Sequence, residues 1–465
     1  MPGPGVRRSF AAIAFAIVVL GATSCSSSDK ATPVPAKAPG TKAPSTKTYA
    51  VGELSETFVD AHRTTAANGN LPAHSSRTLS TTIFYPAQGS ATGIATGNAA
   101  RNAPPDRADG PYPLIVAAHG FGGSEAEMQG LSERWVAAGY VVAEPLFPLT
   151  NDHTAGGPDA ADYVNQPADM SFVVTSVLQA SARSSGLLAG LVDPKQIGAV
   201  GHSLGGITTL GLAANTCCHD GRVDAAIVLS GDSESFPHGK FDYAQAAPLM
   251  FVHGTADSIV PYESSVDAFN LARGPKTLVS VIGGGHDGPV ATSGKWFAAV
   301  VRVTTDFFDA YVKGDHTATD RIKSDAVAGL TRVVFDPDAG TIVTVPTTAA
   351  PPVPVHHASA TPTTGLTNGE TLAVQWSGFT PNKTVNIVEC SEPRTLDATA
   401  CDLKNAALLQ PDPSGTGTGS IKIVAGSVGT GICDATHPQC VVIVNDGGAL
   451  TAAASVRIPI TFAAG

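Results

Sequence analysis

The chain has 465 residues, 28 Lys and Arg against 39 Asp and Glu, a formal charge of −11, and 43% hydrophobic side chains. That is too long for one ordinary domain, and apolar enough to bury a core rather than stay disordered. The acidic balance argues against nucleic acid as a partner and against electrostatic docking on anionic lipid.

Arg7 and Arg8, an apolar run from Phe10 to Leu20, and Gly21-Ala22-Thr23-Ser24-Cys25 read as a secretory signal over residues 1–25. The run is too short for a stable membrane span. Small residues directly before a cysteine resemble a bacterial lipobox, which makes Cys25 the expected lipidated first residue of the mature chain. Residues 26–50 are rich in Ser, Pro, Ala, Thr and Lys, cannot bury a core, and read as a disordered tether. Export follows as an expectation, with the membrane reached through a lipid anchor at the cell surface.

Residues 51–343 alternate strand-like and helix-like stretches. Strand-like runs are 78–85, Tyr112–Ala118, 140–144, a run from Ile197, Ala225–Leu229, 249–253 and 278–282. Helical periodicity marks 124–139, 167–182 and 295–313, the last with apolar residues three and four apart. This alternation predicts an α/β domain with a doubly wound, mostly parallel sheet. Little beyond a short helix fits between Ser230 and Leu249, so an open site without a large lid is expected.

Four loops in this domain carry chemistry. The run from Ile197 enters Gly201-His202-Ser203-Leu204-Gly205, an order of strand, GxSxG and helix that makes Ser203 the candidate nucleophile. The turn that exposes such a serine brings strand and helix too close for a Cβ at Gly201 or Gly205. A serine hydroxyl needs an imidazole to take its proton and a carboxylate to hold the imidazole. Asp257, after 249–253, and His286, after 278–282, follow in the order nucleophile, acid, base. Asp232, in the loop after the preceding strand, is the competing acid. Upstream, Tyr112–Ala118 ends in His119-Gly120-Phe121-Gly122-Gly123, and the backbone amides of Phe121 and Leu204 are the expected oxyanion donors. The Phe121 ring is a candidate wall for an acyl pocket, and Tyr163 and His153 are candidate cleft residues. Adjacent Cys217 and Cys218 are open between a vicinal disulfide and two buried thiols, with no catalytic role expected. No cofactor and no metal is expected.

At residues 344–362 the composition shifts to a Pro-rich linker, in which His356 and His357 read as a solvated pair rather than metal ligands. Residues 363–465 show short alternating runs punctuated by turns, an all-β sandwich pattern. Cys390 with Cys401 and Cys433 with Cys440 each close a short loop, the simplest disulfide pairing in an exported protein.

Together His119-Gly120-Phe121-Gly122, Gly201-His202-Ser203-Leu204-Gly205-Gly206, His253-Gly254-Thr255-Ala256-Asp257 and Gly283-Gly284-Gly285-His286 resemble the α/β-hydrolases of the dienelactone-hydrolase-like and platelet-activating-factor-acetylhydrolase-like group. Trp135 to Val142 and Ser203 to Asn215 are also similar to bacterial cutinase-like polyester hydrolases. Dienelactone hydrolases proper carry a cysteine where Ser203 stands. Gly365-Leu366-Thr367-Asn368-Gly369, the cysteine pairs and the closing Val456 to Phe462 run resemble the neocarzinostatin and macromomycin apoproteins, an immunoglobulin-like fold. The combined expectation is a monomeric, exported, lipid-anchored serine esterase that takes an ester or lipid-like substrate. An amide or peptide hydrolase is the alternative within enzymes. A binding lipoprotein with a degenerate hydrolase scaffold is the alternative outside them.

Overall fold

A strand covered on both faces needs apolar side chains at every position, not at alternate ones, and the central strands of this chain are built that way. The computed structural model describes residues 47–68, 71–90, 97, 99–344, 356–379, 384–391, 400–409, 415–437, 440–446 and 455–463. Cys25, the signal and most of the expected tether lie outside the described residues.

Ten strands make one sheet: β1 (Ala50–Asp60), β2 (Arg77–Ala87), β3 (Ala100–Arg101), β4 (Tyr112–Ala118), β5 (Val141–Leu146), β6 (Val192–His202), β7 (Ala225–Leu229), β8 (Leu249–Gly254), β9 (Lys276–Val281) and β10 (Thr331–Asp336). Their order is β10-β9-β8-β7-β6-β4-β5-β2-β1-β3. From β5 through β4, β6, β7 and β8 to β9 every pairing is parallel, and antiparallel β2 and β10 flank that block. Strands β4, β7, β8 and β9 are buried at every residue.

Successive residues of β4 serve opposite cores. Leu114, Val116 and Ala118 pack with apolar residues of α2 (Gln166–Ser181) and α3 (Leu204–Ala214). Ile115 and Ala117 pack with those of α1 (Gln129–Ala137) and α5 (Phe297–Tyr311). On α5 the buried positions Val300, Val303, Thr304, Phe307 and Phe308 follow the three-and-four spacing of an amphipathic helix. Because the central strands are parallel, the loops after β4, β6, β8 and β9 emerge at one edge of the sheet, where open α/β sheets build their sites.

Three strands of this sheet were not foreseen, β1, the two-residue β3 beside it, and β10. β1 begins at the last residue of the expected tether, and β10 closes the far edge. The stretch 231–248 forms turns without a helix.

The C-terminal part is all β: β11 (His357–Thr361), β12 (Thr371–Ser377), β13 (Val385–Cys390), β14 (Ala407–Leu409), β15 (Gly417–Lys422), β16 (Gly426–Val428), β17 (Gly431–Cys433), β18 (Val441–Asp446) and β19 (Ser455–Pro459). They form a three-stranded sheet β11-β12-β15, a four-stranded sheet β14-β13-β18-β19 and a β16-β17 pair. Leu372, Val374 and Trp376 alternate inward from β12 to meet Ile387, Val442 and Val444. Disulfides join Cys390 to Cys401 and Cys433 to Cys440. One expectation is corrected here. β11 occupies the end of the supposed linker, and the ring of His356 stacks on Phe379 with centroids 4.5 Å apart, so this histidine is packed against the sandwich rather than free in solvent.

Candidate active site

Strand β6 ends at His202 and α3 starts at Leu204, so the whole reversal of direction falls on Ser203. Its backbone sits at φ 55°, ψ −119°, in the left-handed half of conformational space that a side chain rarely adopts. Two hydrogen bonds hold it there: the Ser203 N–H donates to the Leu229 carbonyl at 2.9 Å, and its carbonyl accepts the Ile207 N–H at 3.1 Å. A Cβ on Gly205 would lie 2.1 Å from the Ala118 carbonyl oxygen, so only glycine lets the helix pass β4 this closely.

The three candidate side chains form one relay. Ser203 Oγ lies 2.8 Å from His286 Nε2, and His286 Nδ1 lies 2.8 Å from Asp257 Oδ2. With Nδ1–H donated to the carboxylate, Nε2 is free to accept the serine proton. Asp257 Oδ1 accepts the backbone N–H groups of Ile259 at 2.8 Å and Val260 at 3.0 Å. Burial alone would raise the Asp257 carboxyl, but hydrogen bonds from His253, His286 and the Ile259 amide hold it well below the usual carboxylate range. The acid and base loops meet closely: a Cβ on Gly254 would fall 2.3 Å from the carbonyl oxygens of both Gly284 and Gly285.

The loop after β4 lies against Ser203, since a Cβ on Gly120 would be 3.2 Å from Ser203 Cβ. His119 anchors it from below: buried, it donates from Nδ1 to the Gly120 carbonyl at 2.7 Å and accepts the Phe147 N–H at Nε2, 3.2 Å away. Burial lowers the His119 pKa, in keeping with a neutral ring that has one donor and one acceptor. On either side of Phe121 the amides are engaged, Gly120 N–H with Glu127 Oε2 at 3.0 Å and Gly122 N–H with the Thr150 carbonyl at 2.7 Å. Leu204, as the first residue of α3, has no acceptor within its helix. Phe121, in the middle of this loop, is 38% exposed.

Residues 99–273 match the dienelactone hydrolase family, and residues 358–462 match the neocarzinostatin family. The chain joins a dienelactone-hydrolase-like domain to a neocarzinostatin-like one. A comparison with curated proteins finds no match. The first match spans Ser203 and Asp257 and stops short of His286, whose place beside them rests on the distances above.

In this hydrolase the competing acid, Asp232, turns to the neighbouring Ser233 amide at 2.7 Å, while Asp257 holds His286. Tyr163 is buried with Ile207 and Phe236 beside Leu204 and donates its hydroxyl to the Ser235 carbonyl. His153 is exposed, 3.4 Å from Asp152. Cys217 and Cys218 are joined as a vicinal disulfide. Among the described residues no group of three His, Cys, Asp or Glu side chains is placed to hold a metal ion.

Four residues around the relay escaped the sequence. His253 Nε2 lies 3.1 Å from Asp257 Oδ2, Ser230 Oγ donates to the His286 carbonyl at 2.8 Å, and a part-buried Glu127 pairs with a buried His202 behind Ser203. His253 stood inside the quoted His-Gly-Thr-Ala-Asp motif, and His202 inside GxSxG. Those positions were the available signal.

Proposed function

We propose that this hydrolase cleaves carboxylic esters through an acyl-enzyme on Ser203, and that it works outside the cytoplasm, held to a membrane by a lipid on Cys25. The observation that carries the enzymatic part is the unbroken relay from Ser203 Oγ through His286 to Asp257, each link 2.8 Å long, on a strained turn that turns the hydroxyl out of the sheet edge.

Ser203 Oγ attacks the acyl carbon while His286 Nε2 takes the hydroxyl proton. Asp257 remains ionised and stabilises the resulting imidazolium. The tetrahedral oxyanion lies between the Leu204 and Phe121 amides, whose worth is greatest where water is excluded. His286 then passes its proton to the departing alcohol, leaving the acyl group on Ser203. A water molecule, deprotonated in turn by His286, releases the acid and restores the serine. No step needs a metal or cofactor.

A panel of short-chain p-nitrophenyl esters with matched anilides, together with an alkyl phosphonate read by peptide mass spectrometry, tests this. Ester turnover and a phosphonate adduct on the Ser203 peptide support it. Faster turnover of the anilides makes the protein an amidase, and an unlabelled Ser203 makes the domain a degenerate scaffold.

A further inference from the structure

Behind the nucleophile runs a chain of contacts that the relay does not use. His202 fills the variable position before Ser203, and its side chain is 3% exposed. Its Nδ1 pairs with Glu127 Oε1, and its Nε2 donates to the backbone carbonyl of His286 at 3.1 Å. The His286 carbonyl can only accept, so Nε2 carries hydrogen, and with Glu127 ionised Nδ1 carries one as well, which makes the ring an imidazolium. The other oxygen of Glu127 accepts the Gly120 N–H at 3.0 Å. The path therefore runs from the oxyanion loop, through Glu127 and His202, to the loop that presents the base. Ser230 Oγ meets the same His286 carbonyl at 2.8 Å, and the rings of His202 and His286 lie 4.9 Å apart.

The charges oppose what burial alone would do. Burial favours neutral His202 and neutral Glu127, yet their pairing raises the His202 pKa and lowers that of Glu127. Asp287, exposed, also faces His202, with its Oδ1 4.0 Å from Nε2, and the titratable His286 ring lies 4.9 Å from the His202 ring. Buried ion pairs add little net stability compared with apolar residues of the same shape, but they fix geometry, and losing one partner strands a buried charge.

We infer that Glu127 and His202 are positioning residues, a charged strut that locks the oxyanion loop and the general-base loop into one rigid unit around Ser203. Relative to a solvated pair, the strut makes the donor amides and the proton acceptor respond together, which matters in the transition state, when both must be in place within a fraction of an ångström. The inference rests on the reading of Ser203 as nucleophile, and its test keeps the two apart.

Wild-type protein labelled with ¹⁵N-histidine reports the protonation of His202 without reference to activity. A ring with both nitrogens protonated at pH 7 to 8 is expected, and a neutral tautomer there overturns the strut even if esters are cleaved. For kinetics, Glu127→Gln and His202→Gln should each lower kcat on a short ester by roughly 10-fold or more, with KM changed less than about 3-fold. The double variant should be no slower than the worse single one, because both break the same strut. Additive losses, or a rise in KM at unchanged kcat, overturn the inference. Absent turnover and absent phosphonate labelling in the wild type fault the nucleophile reading instead, leaving the spectroscopic result to stand for the strut.

Discussion

His253 Nε2 lies 3.1 Å from Asp257 Oδ2, the same oxygen that meets His286 Nδ1 at 2.8 Å. Both histidines thus address one carboxylate oxygen, while two backbone amides occupy the other. The His253 ring is itself fixed, with Ser265 Oγ 2.7 Å from Nδ1 and the Val260 carbonyl 3.0 Å from Nε2. Asp257 is held as an anion aimed at His286 rather than as a free acid.

From this relation follows the order of damage by substitution. Ser203→Ala and His286→Ala should each lower kcat for ester cleavage by about 10³-fold or more without unfolding the domain, and Asp257→Asn somewhat less. His253→Leu leaves the relay atoms in place but removes one donor from the carboxylate, so a loss of roughly 10-fold is expected. Asp232→Asn should be near neutral. Steady-state rates with a p-nitrophenyl ester, next to circular dichroism of each variant, measure all five. A damaging Asp232→Asn with a harmless Asp257→Asn would reverse the acid assignment.

Glu144 on β5 is buried, receives a hydrogen bond from the Ser132 hydroxyl on one oxygen, and has no partner for the other among the described residues. Burial pushes its pKa up to about 8 from an ordinary 4.5, with the nearby Glu125, Glu127 and Glu133 adding to the rise. The folded state therefore holds a proton that the unfolded chain gives up above pH 4.5. Its contribution to stability is full below that pH and is lost as the pH rises toward 8. Glu144→Gln, neutral at every pH, should match the wild type near pH 4 and exceed it at pH 8 by on the order of 4 kcal/mol, or roughly 8 to 16 °C in Tm. Thermal melts at the two pH values measure the difference. A constant offset would mean that Glu144 is ionised in the fold.

The central strands and the relay were legible because each leaves a local mark. Tyr112–Ala118 and Ala225–Leu229 are unbroken apolar runs, and Ser203, Asp257 and His286 each follow such a run in a Gly-marked loop. Polar contacts between distant segments leave no such mark. Glu127 meets His202 across 75 residues, and in the sequence it is one acid among several in a helical stretch. The edge strands were missed for a different reason. β1 mixes buried and exposed residues without clean alternation, and β11 starts within a Pro-rich stretch whose composition outweighed its short alternating pattern. Adjacent Cys217 and Cys218 fit a bond or two thiols equally well on sequence, and in the fold they are bonded.

Attachment to the membrane rests on Cys25 in the proposed reading. The sequence that follows, residues 26–46, is rich in Ser, Pro, Ala, Thr and Lys, and no helix among the described residues is long and apolar enough to cross a membrane. Cys25→Ser should move the protein from the membrane fraction to the soluble one and abolish incorporation of labelled fatty acid. Unchanged partition of that variant would refute the lipobox.

A truncation separates the work of the two parts. The cut must fall after Thr344, because the Val343 N–H and carbonyl each bond the Asn270 side chain at 2.9 Å and anchor the segment following β10 to the hydrolase domain. Every residue of the relay and of the oxyanion loop lies before residue 290, and the sandwich carries its own core and its own disulfides. A chain ending at Thr344 should therefore fold and keep full kcat/KM on a small soluble ester. On an insoluble or polymeric ester the full chain should be faster, because a second module that holds the surface raises the effective concentration of substrate at Ser203. Rates of the two proteins on a soluble ester and on an emulsified or film substrate make the comparison. Lost small-ester activity in a folded truncation would mean that the sandwich helps to build the active site. Equal rates of the two proteins on the insoluble substrate would deny the sandwich a role in holding it.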